Sequence, residues 1–206
     1  MTESTKKSGA RTGFSRRKFL QGSSAVAAVT ALQVQNVTAQ EEKDTSKVVS
    51  GTTTIALEVN GEKQQLKVEP RTTLLDALRY QLNLTGAKPV SSDGSSGAST
   101  VLLDDKPVSA ETILAITCEG KKVRTVESLG GENPDVVPKA FVANDAQQCG
   151  FCTPGFVVAV RAFLDKHPNA TEEQIRNGLN GNICRCGTYA DIVRAVTSCV
   201  KGGQNG

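Results

Sequence analysis

Four cysteines stand in two tight pairs toward the C-terminal end of the chain, as Cys149-Gly150-Phe151-Cys152 and Cys184-Arg185-Cys186. Thiolate is a soft ligand, and four thiolates presented by two loops suit a two-iron sulfide cluster. Any fold that uses them together must bring those loops to one place. Glycine follows the first cysteine of one pair and the last of the other (Gly150, Gly187), where the chain has to fold over a metal and turn away. Thr153-Pro154 after Cys152 reads as a helix start, with Thr153 as N-cap and Pro154 at the first helical position. Backbone N–H groups unpaired at such a start can face sulfur. Two other readings compete. Structural zinc also takes C-x-x-C, but its second pair is usually spaced by two to four residues rather than one. Disulfides form in exported proteins, but bonds within these close pairs would make small strained rings.

Upstream the pattern is that of strands. Ile55, Leu57 and Val59 alternate, Asn60-Gly61 supplies a two-residue turn, and Leu66 and Val68 alternate on the return. Thr72 or Thr73 caps a helix with Leu74, Leu75, Leu78 and Leu82 on one face. Strands are expected near Thr100–Leu103, Ile113–Thr117 and Lys122–Val126, an order that suits a β-grasp domain. Beyond Gly130-Gly131 the periodicity becomes helical. Helices are expected from Pro138 to Gln147, after Pro154 as far as His167-Pro168, behind a Thr171/Gln174 capping box, and over Ala190–Val200. The fold class is therefore α+β: an N-terminal β-grasp domain at 52–129, then a small four-helix domain at 133–201.

The formal charge of +3 is concentrated at the N-terminus. Residues 1–39 carry six basic and one acidic side chain, leaving 18 basic and 20 acidic for the rest, which gives no electrostatic reason to expect nucleic acid. Ser15-Arg16-Arg17-Lys18-Phe19-Leu20, a mild apolar run to Leu32 and the small residues Val37-Thr38-Ala39 read as a twin-arginine export signal. A basic tail and an uncleaved anchor are the alternatives. Polar residues 40–51 read as a linker.

The stretches Gln148-Cys149-Gly150-Phe151-Cys152-Thr153-Pro154-Gly155 and Gly181-Asn182-Ile183-Cys184-Arg185-Cys186-Gly187-Thr188-Tyr189 closely resemble the iron–sulfur small subunit of the xanthine dehydrogenase, aldehyde oxidoreductase and carbon monoxide dehydrogenase group of molybdenum hydroxylases. The resemblance spans about residues 52–200. It implies a [2Fe–2S] cluster on Cys149, Cys152, Cys184 and Cys186. It implies a partner large subunit that binds molybdopterin, with Gln148 and the backbone near Cys186 facing the pterin. Gln148 read alone is equally a surface amide.

The family's ferredoxin domain also carries C-x4-C-x2-C and a distant fourth cysteine. Here Ser91, Ser96 and Ser99 stand at that spacing and Glu111 falls at the fourth position. A serine hydroxyl ionises far less readily than a thiol and suits this chemistry poorly. One cluster is expected, with an electron route shortened to a cytochrome or another acceptor.

Cys118, on an expected strand, and Cys199, in the last helix, are expected to be buried thiols, with a mutual disulfide as the alternative. His167 is the only histidine, which excludes a Rieske centre. Asp104-Asp105 and Glu172-Glu173 are turn and cap charges, and no residue has the setting of a general base or nucleophile. Arg185 can tune cluster potential or pair with a partner carboxylate. The chain is read as the electron-transfer subunit of an oxidoreductase. The competing readings are a non-catalytic assembly or interaction protein and a one-cluster ferredoxin acting alone.

Overall fold

The structure, a computed structural model, describes residues 49–203. The expected export signal and most of the expected linker lie outside them. None of the helices among the described residues is long and apolar enough to cross a membrane.

Strands β1 (Thr53–Val59) and β2 (Glu62–Val68) form the expected hairpin, paired from Thr53↔Val68 to Val59↔Glu62. Asn60 (φ 52°) and Gly61 (φ 87°) both take the positive φ that a type I′ turn needs. The Thr73 hydroxyl accepts from Asp76 N at 3.0 Å and starts helix α1, Leu74–Gln81, whose second part is π-helical. Leu74, Leu75 and Leu78 are buried beneath the sheet's apolar face together with Ile55, Leu57 and Val68.

Three further strands complete a mixed sheet of order β2-β1-β5-β3-β4: β3 (Thr100–Leu103), β4 (Lys106–Ser109) and β5 (Lys122–Arg124). Only β1 and β5 pair in parallel. Strand β4 was not expected. It is a short edge strand containing Pro107, and a second two-residue turn at Asp104-Asp105, both at positive φ, delivers it. The strand expected near Ile113–Thr117 is instead a 3-10 turn, Ala115–Cys118. Leu114, the extended residue before it, makes a single antiparallel bridge with Thr73 through the Ala115 N–H to Thr72 carbonyl and Leu74 N–H to Ile113 carbonyl bonds, and the chain coils after it. Cys118 therefore sits on that turn.

The helices are α2 (Val136–Ala143), α3 (Thr153–Lys166), α4 (Glu172–Gly178) and α5 (Tyr189–Gly203). Helix α2 starts earlier and stops sooner than its pattern suggests. Asp135 caps it by accepting from Val137 N, and Asp145 breaks away in the left-handed region (φ 52°). Helix α3 begins one residue earlier than expected, with Cys152 rather than Thr153 at the N-cap. The Thr171/Gln174 capping box is present on α4.

Two apolar clusters result, one under the sheet and one among the helices. Strand β3 belongs to both. Val101 and Leu103 point into the sheet cluster, while Leu102 between them points into the helix cluster. This explains why all four β3 residues are buried rather than alternating.

Candidate metal centre

The first cysteine loop leads into α3 and the second into α5. Gly150 (φ 75°) lets the chain double back so that Thr153 N reaches the Gly150 carbonyl at 3.3 Å and α3 can begin. The second loop is fixed at several points. Tyr189 Oη accepts from Cys184 N at 2.8 Å, and its ring packs edge-on against Phe156 of α3 at 6.3 Å. Gly187 (φ 82°) returns its N–H to the Cys184 carbonyl. The Thr188 hydroxyl lies 3.2 Å from Cys184 Sγ.

The four thiols influence one another. The Cys149 thiol pairs with that of Cys186 and the Cys152 thiol with that of Cys184, and Cys149 also feels Cys184 and Cys152. Among the described residues, no three or more His, Cys, Asp or Glu groups converge as they would on a single ion. The two loops supply four thiolates, the number that a two-iron cluster takes. The cysteines are free thiols rather than disulfides.

Within each pair one thiol is pushed down and the other up, as expected when two sulfurs share a proton. The Phe151 N–H, then the Cys186 thiol, hold Cys149 below the ordinary thiol range. In Cys186 the Cys149 N–H favours the thiolate, but the Cys149 sulfur beside it prevails and the thiol rises. Burial, reinforced by Cys184, pushes Cys152 up to about 12. Partial burial also opposes the Cys184 thiolate, but hydrogen bonds from the Thr188 hydroxyl and N–H, from Cys152 and from Gly187 bring it down to about 7. The pairs differ in exposure. Cys184 is buried and Cys152 partly so, while Cys149 and Cys186 lie at the surface beside exposed Phe151 and Ile183. Gln148 and Arg185 are exposed as well.

The serine loop lies against this site. Ser91 Oγ is 3.1 Å from Ser96 Oγ and 3.2 Å from Glu111 Oε1, and Ser99 Oγ is 3.0 Å from Ser109 Oγ. Ser91 Oγ also accepts from Ser96 N, and Ser96 Oγ from Ala98 N. Gly94 and Gly97 both take positive φ. The Ser96 carbonyl accepts from Ile183 N at 2.9 Å, and the Gly97 carbonyl from Asn182 Nδ2 at 2.9 Å. A Cβ at Gly155 would collide with the Gly97 carbonyl, so α3 also packs tightly on this loop. A cavity of about 380 Å³ beside Gly97, Thr100 and Ser109 is not lined by any of the four cysteines.

Reading the sequence identified the four cysteines but gave no positioning role to Asn182, Thr188 or Tyr189. All three stand within the second cysteine motif. Their roles depend on partners distant in sequence or on turn geometry that spacing does not reveal. Cys118 and Cys199 are buried free thiols, and burial raises both. His167 is exposed, its ring 5.0 Å from that of Phe163.

Residues 125–197 match the [2Fe-2S] binding domain family. The chain is 38% identical over 149 residues to the nicotinate dehydrogenase small FeS subunit of Eubacterium barkeri, covering 72% of this chain and 95% of that one. It is 38% identical over 158 residues to the aldehyde oxidoreductase iron-sulfur-binding subunit of Escherichia coli K12, covering 69% of each. The crystal structure of quinoline 2-oxidoreductase from Pseudomonas putida 86 superposes with a TM-score of 0.72 at 35% identity, covering 76% of this chain and 99% of that one. These relatives are named as parts of dehydrogenases and oxidoreductases, which does not favour the assembly reading. The protein belongs to the iron–sulfur small subunits of the molybdenum hydroxylase family and is the electron-transfer subunit of an oxidoreductase.

Proposed function

We propose that Cys149, Cys152, Cys184 and Cys186 hold one [2Fe–2S] cluster, with Cys149 and Cys186 on one iron and Cys152 and Cys184 on the other. The four free thiols on the loops before α3 and α5, inside the stretch that matches the [2Fe-2S] binding domain family, carry this assignment. The cluster supplies a one-electron carrier between the molybdopterin site of a large partner chain and an external acceptor, a cytochrome among the candidates. Tyr189 and Thr188 orient Cys184, and the Phe151 N–H favours the Cys149 thiolate. Gln148, which is exposed immediately before Cys149, contacts the pterin across the interface in this proposal.

The reading divides the mature chain into a ferredoxin-like β-grasp module at 52–129 without metal and a helical module at 133–201 with the cluster. The leader at 1–39 directs export of the folded protein by the twin-arginine route. Quantifying iron in the purified complex tests the cluster count: about two irons per copy of this chain is expected. Replacing Cys184 with Ala should abolish the visible absorption of this cluster. An unchanged spectrum would falsify the ligand assignment.

A further inference from the structure

We propose that the hydroxyls of Thr188 and Thr153 donate hydrogen bonds to sulfur atoms of the cluster and raise its reduction potential. The inference rests on the proposed function, in which the four cysteines hold a [2Fe–2S] group.

Thr188 is 5% exposed, and its Oγ1 lies 3.2 Å from Cys184 Sγ. Between a hydroxyl and a thiol either can donate. A metal-bound thiolate has no proton, so with the cluster in place Thr188 is the donor. The residue is held there, because its carbonyl accepts from Ile192 N at 3.0 Å in the first turn of α5. Thr153 supplies the second observation. Its Oγ1 is buried and has no hydrogen-bond partner, and the residue directly follows Cys152 at the first position of α3. A buried hydroxyl left unpaired is costly. The group that the proposed function adds beside Cys152 is the cluster, whose sulfurs accept hydrogen bonds.

The Thr188 hydroxyl adjoins Cys184 and Thr153 follows Cys152 in the chain, and these are the inner cysteines, whereas Cys149 and Cys186 are exposed. The outer pair faces outward from this chain, toward the proposed interface with the large partner chain. The inner pair depends on fixed donors from the protein. A hydrogen bond donated to sulfur withdraws electron density, favours the more negative reduced state and so raises the potential.

The test is a potentiometric titration of the intact complex, followed by the visible and paramagnetic signals of this cluster. It compares wild type with Thr188→Val, Thr153→Val and the corresponding serine variants. Each valine variant is expected to lower the reduced-to-oxidised ratio about tenfold at a fixed applied potential, which is 59 mV for a one-electron couple. Each serine variant should keep the wild-type potential. A valine variant that retains the wild-type potential overturns the role of that residue. If a valine variant does not load iron while the serine variant loads normally, the hydroxyl is required and the proposal stands. If the serine variant also fails to load, the methyl group rather than the hydroxyl matters, and the proposal falls. A wild-type complex without a cluster on this chain refutes the underlying function and is recognised before any variant is compared.

Discussion

The chemistry of the site depends on a few contacts made by side chains that do not themselves carry the redox group. Asn182 is the clearest case. It is buried, and its Nδ2 reaches the Gly97 carbonyl at 2.9 Å across 85 residues of sequence. Replacing it with Ala removes the link between the two loops, while Thr100 N and Oγ1 keep the Gly97 carbonyl paired, so the loss is that of one hydrogen bond, about 0.5–1.5 kcal/mol. Thermal unfolding of Asn182→Ala should show a lowered midpoint. Because Ile183 and Cys184 follow directly, iron content should fall with it. An unchanged midpoint and full iron loading would show that the loop is held by its other contacts alone. The cysteines were legible in the sequence because their spacing is unusual and their chemistry restricted. Asn182 was not, since an Asn before Ile and Cys carries no sign that its partner lies in a loop far upstream.

At the scale of elements, the serine loop keeps a definite shape through hydrogen bonds. Ser91, Ser96 and Glu111 meet one another, and Ser99 meets Ser109. Three of the four positions therefore remain gathered, and the loop still turns at Gly94 and Gly97. Converting Ser91, Ser96, Ser99 and Glu111 together to Cys should allow a second cluster to assemble. Iron would then rise from about two to about four per chain, with a second paramagnetic signal on reduction. A fourfold variant that folds but gains no iron would show that the loop has drifted from a ligand-binding shape. Elements set by local chemistry were legible in advance: the Asn60-Gly61 hairpin from its turn residues, and α4 from its capping box. The run Ile113–Thr117 misled because β-branched residues suit strands, yet only Leu114 pairs, in a single bridge to Thr73, before the chain coils. Strand β4 was hidden by its brevity and by Pro107, which an edge position tolerates.

For the molecule as a whole, the charge distribution separates residues 1–39 from the remainder. Basic residues are concentrated in residues 1–39, and the rest carries 18 basic against 20 acidic side chains. If the twin-arginine reading is right, changing Arg16 and Arg17 together to Lys should leave the protein in the cytoplasm with its cluster intact. Fractionation of cells producing the variant would show this, and undiminished export would contradict it. The two-layer plan of strands followed by helices was readable from the switch in hydrophobic period. The sharing of β3 was not, because period alone does not say which cluster each face meets. That shared strand bears on how far such a chain can be cut back. Leu102 fills a seat among the helices while its neighbours fill the sheet. Trimming β3 would therefore open a socket among the helices that precede and follow the cysteine loops, so the sheet is a structural part of the helical half whatever else it does.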